Sequence, residues 1–155
     1  GHSFGARLVT AATMAGSFQP RCLALLQAAF SHNGFSPEGY FRKVITESAK
    51  VKGPVLISFS SADRAVGLAY PIASRLNGDW ASGIGDANDK YGGLGRNGAQ
   101  KTSEATTIPL QKAGSAYNWI SGPRIFNLDS NGIIHDHSDI CKPEIAYALL
   151  SSISS

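Results

Sequence analysis

Three short apolar runs constrain this chain more than any other feature: Cys22-Leu23-Ala24-Leu25-Leu26, Val55-Leu56-Ile57-Ser58-Phe59 and Arg124-Ile125-Phe126-Asn127-Leu128. Each is too short for a helix and mostly apolar, with Ser58 in the second run and Arg124 and Asn127 in the third as the polar exceptions. The first suits a strand buried on both faces, the second is the clearest strand of the chain and the third reads as a further strand. Helical patterns separate the runs. From Ser3 to about Ala15, Phe4, Leu8, Ala11 and Ala12 recur at helical spacing, and Gly16 can end the helix. A short helix is expected within Glu38 to Ser48. Another is expected from about Ala65 to Leu76, with Val66, Ala69, Tyr70, Ala73 and Leu76 facing inward and Pro71 kinking it. A last helix is expected from about Lys142 to Ile153, with Pro143 in its first turn. The alternation implies βα units: an α/β fold with about three parallel strands and flanking helices.

The stretch from Asn77 to Ser121 breaks this rhythm. Glycines crowd between Gly78 and Gly98 and periodicity is lost, so 77–121 reads as a long Gly-rich insertion within a single domain spanning 1–155.

Composition excludes several classes. With 43% hydrophobic and 16% charged residues, the chain is too apolar for intrinsic disorder. Its net charge of +3 is not gathered into basic runs, which argues against nucleic acid as a partner. No apolar stretch approaches the roughly 18 residues of a membrane span. Cys22 and Cys141 fit no zinc spacing; they could pair, but are expected as small buried hydrophobes.

Four groups of residues could carry chemistry. The first is Gly1-His2-Ser3-Phe4-Gly5, a G-x-S-x-G placed directly before a helix. Such a turn can project a serine hydroxyl as a nucleophile, with glycines where a Cβ would crowd the bend. The second is Asp63, in Ser60-Ser61-Ala62-Asp63-Arg64-Ala65-Val66, just past the carboxyl end of the second run. There it could orient a histidine or cap the following helix.

The third is His135-Asp136-His137-Ser138-Asp139-Ile140, beyond the third run. Its H-x-H-x-D spacing invites a metal, but no further His or Cys clusters with it, and His2 and His32 stand alone. The alternative is a pair of solvated loop histidines, with His137 the better base of the two. The fourth is Gly93-Leu94-Gly95-Arg96-Asn97-Gly98, which satisfies G-x-G-x-x-G without the preceding strand that a nucleotide cradle needs. Its glycines are expected to confer flexibility.

In the order serine, aspartate, histidine, these segments resemble the α/β-hydrolase fold. Ser60 to Gly67, and His137-Ser138-Asp139-Ile140 followed by Pro143-Glu144-Ile145-Ala146, look like those of uncharacterised bacterial α/β hydrolases. The resemblance covers the whole chain but only the carboxyl-terminal half of that fold. It implies a serine hydrolase (esterase- or lipase-like) cleaving an ester or similar small-molecule acyl substrate through an acyl-enzyme, with no cofactor and no metal.

By that likeness Ser3 is the nucleophile, His137 the general base and acid, Asp63 the orienting carboxylate and the Phe4 backbone N–H an oxyanion donor. It also places the strand of the nucleophile, the strands before it and a second oxyanion donor upstream of Gly1. The run Cys22–Leu26 is then expected to present an open edge, pairing with an amino-terminal segment or self-associating. The alternative is a non-catalytic hydrolase-like fragment, serving binding or assembly.

Overall fold

The structure, a computed structural model, describes residues 1–47, 50–69, 92–119 and 124–154. Helix α1 spans Phe4–Ala15 and is followed by strand β1, Leu23–Leu26, and helix α2, Arg42–Thr46. Strand β2, Val55–Phe59, leads into a π-helical turn, Ala65–Ala69. Next come helix α3, Leu94–Asn97, strand β3, Ala105–Pro109, strand β4, Ile125–Asp129, and helix α4, Pro143–Ile153. The strands form one all-parallel sheet in the order β1-β2-β4-β3. The chain is therefore of the α/β class.

Side chains alternate across the sheet and build two cores. Leu23, Leu25, Val55, Ile57 and Ile125 face one way and pack with Ala6 of α1, Val44 and Ile45 of α2, and Phe30, Phe35 and Phe41. Leu56, Phe126 and Leu128 face the other way, against Ile145 and Ala148 of α4 and the ring of Trp119. Each fully buried Leu, Ile or Phe contributes about 1.5–3 kcal/mol, so these faces hold the sheet between its helices. Trp119 also fixes α4, donating from Nε1 to the Ser151 hydroxyl at 2.8 Å.

Several expectations need correction. The sheet has four described strands, because β3 lies inside the stretch read as a loop insertion. Its sequence Ala105-Thr106-Thr107-Ile108-Pro109 carries two polar residues, which an edge strand tolerates, and among the described residues only β4 pairs with it. Within 77–121, residues 77–91 and 120–121 lie outside the described residues, as does residues 70–76 of the expected helix with its Pro71.

Helix α1 also turns a different face inward. Ala6, Thr10 and Thr13 are buried, whereas Phe4 and Leu8 are 63% and 70% exposed. The threonines can be buried because their hydroxyls donate to the carbonyls four residues back, Ala6 at 2.7 Å and Val9 at 2.8 Å. Neither cysteine is a core residue. Both thiols are free, Cys22 partly exposed and Cys141 exposed.

The outer edge of β1 is met in part by the start of the chain. The amine of Gly1 donates to the Ala24 carbonyl at 2.7 Å, Leu26 N–H to Gly1 at 2.8 Å, and Ser3 N–H to Leu26 at 3.1 Å. Residues Gly1–Ser3 thus continue the parallel pattern beside Ala24–Leu26, with His2 bridged to Leu26. No helix among the described residues is long and apolar enough to cross a membrane.

Candidate active site

The carboxyl edge of the sheet gathers the residues singled out in the sequence. Ser3 enters α1 from the residues paired with β1. Asp63 follows the end of β2, and His137 lies in the loop between β4 and α4. His137 Nε2 is 2.8 Å from Ser3 Oγ, and its Nδ1 is 2.9 Å from Asp63 Oδ2. Three groups that are far apart in sequence therefore form one hydrogen-bonded row. With a carboxylate on the Nδ1 side, that nitrogen carries the proton and donates, leaving Nε2 to accept from the serine hydroxyl.

Ser3 is held in an unfavourable backbone conformation, φ 54° and ψ −128°. For a residue with a side chain this costs on the order of 1–3 kcal/mol, and it persists only where the surroundings over-determine it. Here they do. The Ser3 N–H donates to Leu26, while the Ser3 carbonyl accepts from Ala6 and from Ala29, each at 3.1 Å. The two glycines of the motif differ in their need. A Cβ on Gly1 would lie 2.6 Å from the Gly5 carbonyl oxygen, whereas one on Gly5 would meet nothing within 4 Å. Phe4 is the first residue of α1, where backbone N–H groups lack intrahelical acceptors and the helix dipole is positive.

Asp63 is fully buried, and its two oxygens divide the work. Oδ1 accepts the Val66 N–H at 2.9 Å, capping the π-helical turn. Oδ2 accepts from His137 and from Gln27 Nε2 at 3.0 Å. The capping role and the histidine contact therefore coexist. The loop carrying Asp63 is tied to the one carrying His137. The buried Ser60 hydroxyl donates to the Ile134 carbonyl at 2.8 Å, and Ser61 N–H donates to Asn131 Oδ1 at 3.0 Å.

His137 is steadied from its other side. His2 Nε2 donates to the His137 carbonyl at 2.8 Å, and the two rings sit 4.8 Å apart. Within the loop, Asp136 Oδ1 accepts from Ser138 N–H at 2.8 Å, and Asp139 Oδ2 accepts from His135 N–H at 3.1 Å. Lys142, bonded to Asp139 Oδ1 at 2.8 Å, holds the Asp139 carboxyl below its ordinary range. His135 contributes no ring contact to the row. No group of three or more His, Cys, Asp or Glu able to hold a metal occurs among the described residues.

The glycines of 93–98 are sites of close packing, which corrects the expectation of flexibility. A Cβ on Gly95 would lie 2.3 Å from the Gln27 carbonyl carbon, and one on Gly93 2.1 Å from Val66 Cγ1. Gly98 has φ +69° and lies against Asn127. The segment locks the turn after β1 onto the turn after β2. Gln27 lies outside every sequence motif singled out above. The one signal that could have exposed it is a polar residue directly after an apolar run, on the edge that also carries Asp63.

Comparison with family models, with curated proteins and with solved structures returned no match.

Proposed function

We propose that this chain carries the catalytic row of an α/β-hydrolase-type serine hydrolase, acting on an ester or similar acyl substrate through an acyl-enzyme. One observation carries the reading: the continuous hydrogen-bonded row Ser3 Oγ, His137 Nε2 and Nδ1, Asp63 Oδ2, with both links below 3.0 Å. The strained backbone at the serine and the helix that starts behind it support the same reading.

In the proposed cycle His137 removes the Ser3 proton as Oγ adds to the substrate carbonyl carbon. Asp63 keeps the ring in the required tautomer and stabilises the imidazolium. The Phe4 N–H supplies one donor to the oxygen that becomes negative in the tetrahedral intermediate. Collapse of that intermediate expels the alcohol, which takes its proton from His137 and leaves Ser3 acylated. Water, deprotonated by His137, then releases the acid and restores the serine.

A chromogenic ester tests this. The native polypeptide should release p-nitrophenol from p-nitrophenyl acetate in a burst of about one equivalent followed by a slower steady rate, the kinetic mark of an acyl-enzyme. Ser3→Ala should abolish both phases. A Ser3→Ala protein with unaltered turnover contradicts the proposal.

A further inference from the structure

We infer that Gln27 is a positioning residue that sets the Asp63 carboxylate against His137; the inference rests on the hydrolase reading above. Gln27 follows directly after β1 and is fully buried, and its backbone adopts φ 42°, a left-handed conformation uncommon outside glycine. Its amide is bonded at both ends. Nε2 donates to Asp63 Oδ2 at 3.0 Å and to the Gly95 carbonyl at 2.9 Å, while Oε1 accepts from the Ser58 hydroxyl at 2.9 Å. Ser58 Oγ in turn accepts the Gln27 backbone N–H at 3.1 Å.

The polarity of this network has one solution. Two acceptors face one end of the amide, so the nitrogen must lie there, and the serine hydroxyl then donates to the oxygen. Gln27 consequently presents an N–H to the same carboxylate oxygen that receives Nδ1–H of His137. With Val66 N–H on Oδ1, the carboxylate can neither rotate nor turn its Oδ2 away from the ring without losing a charge-assisted bond.

The strained φ is what places the amide there. Gly95 is the neighbour that permits it, since any Cβ at 95 would collide with the Gln27 backbone. A buried strained residue whose side chain ends on the proposed orienting carboxylate is strain placed where orientation matters.

A double-mutant cycle on the native polypeptide tests this, with p-nitrophenyl acetate turnover and the rate of fluorophosphonate inactivation as readouts. Gln27→Met keeps volume and removes the donor. It should lower kcat and the inactivation rate about ten- to hundred-fold, the effect of losing a hydrogen bond to a charged group, while KM stays within about twofold.

In an Asp63→Asn background the same change should cost less than about threefold, because Gln27 acts through Asp63. A residue that merely stabilises the fold would cost the same factor in both backgrounds, and that result overturns the inference. So does wild-type kcat in folded Gln27→Met. If Gln27→Met fails to fold, Ser58→Ala frees the amide while leaving Gln27 in place. It should give about a three- to tenfold loss with the same non-additivity, and an additive or absent effect overturns the inference. An inactive, unlabelled wild-type polypeptide overturns the hydrolase reading and this inference together, whereas an active wild type indifferent to Gln27→Met overturns this inference alone.

Discussion

Across 74 residues of sequence, Nδ1 of His137 lies 2.9 Å from Oδ2 of Asp63, and that oxygen is fully buried with its residue. The carboxylate is not solvated, so its charge is compensated by three protein donors: His137, Gln27 Nε2 and Val66 N–H. An asparagine there must turn an amide N–H toward at least one of these donors. Asp63→Asn should therefore cost about 1–3 kcal/mol of stability. On the proposed function it should also cut kcat by about 10⁴-fold, as expected when an orienting carboxylate is neutralised. Thermal unfolding and steady-state turnover measure the two effects. Wild-type turnover in Asp63→Asn would remove Asp63 from the proposed mechanism.

His2 and His135 flank the same loop but make different contacts. His2 holds the His137 carbonyl and lies beside its ring, whereas His135 is bonded through its backbone N–H to Asp139. His2→Ala should lower kcat about three- to tenfold with little change in KM, a cost in line with one neutral hydrogen bond. His135→Ala should leave turnover unchanged. Equal losses in both variants would show that the loop is not oriented through His2.

These particular residues show how far sequence reasoning reaches. Strand β2 was legible to the residue because Val55–Phe59 is buried on both faces and four of its five residues, all but Ser58, are apolar. Strand β3 was not. At the sheet edge it needs no such run, and Thr106 and Thr107 make it look like loop. Ser3, Asp63 and His137 could be singled out because each lies in a short segment of recognisable pattern, and the structure brings their side chains together. Gln27 offered only the weak signal of a polar residue directly after an apolar run, since its placement depends on a φ value and on contacts made by distant segments. Gly95 misled for a related reason. Glycine suggests freedom until the backbone that fills the space of its missing Cβ is known.

Two glycine replacements separate packing from propensity. At Gly95 an alanine Cβ would meet the Gln27 backbone at 2.3 Å, and backbone cannot swing aside as a side-chain tip can. Gly95→Ala should destabilise the fold by about 1–3 kcal/mol or more, the range of overpacking in a tight interior. At Gly5, in the first turn of α1, a Cβ has open space. Gly5→Ala should be neutral or stabilise by up to about 1 kcal/mol through helix propensity. Urea unfolding of the two variants measures both. A tolerated Gly95→Ala would contradict the close approach of α3 to the turn after β1.

The pair Arg42–Glu104 gives a pH signature away from the row. The guanidinium of Arg42 bonds both carboxylate oxygens, with Nη1 at 2.8 Å from Oε2, and lowers the Glu104 carboxyl from 4.5 to about 2. A depressed carboxylate stabilises the fold above its unfolded value. That contribution should be complete above about pH 4.5 and disappear as pH falls toward about 2. Both side chains are partly exposed, so solvent screens the effect and it should be modest. Glu104→Gln should flatten this part of the stability-against-pH curve, as read by thermal melts between these limits. An identical acid limb in Glu104→Gln would assign it to other carboxylates.

The site of covalent labelling by a fluorophosphonate, located by peptide mass spectrometry on the native polypeptide, reads the proposed nucleophile most directly. Phosphonylation is expected at Ser3, with none in Ser3→Ala and a rate lowered by several powers of ten in His137→Ala, where the base is gone. Labelling at Ser60 or Ser138 instead, or labelling of Ser3 that is indifferent to His137→Ala, would contradict the proposed mechanism.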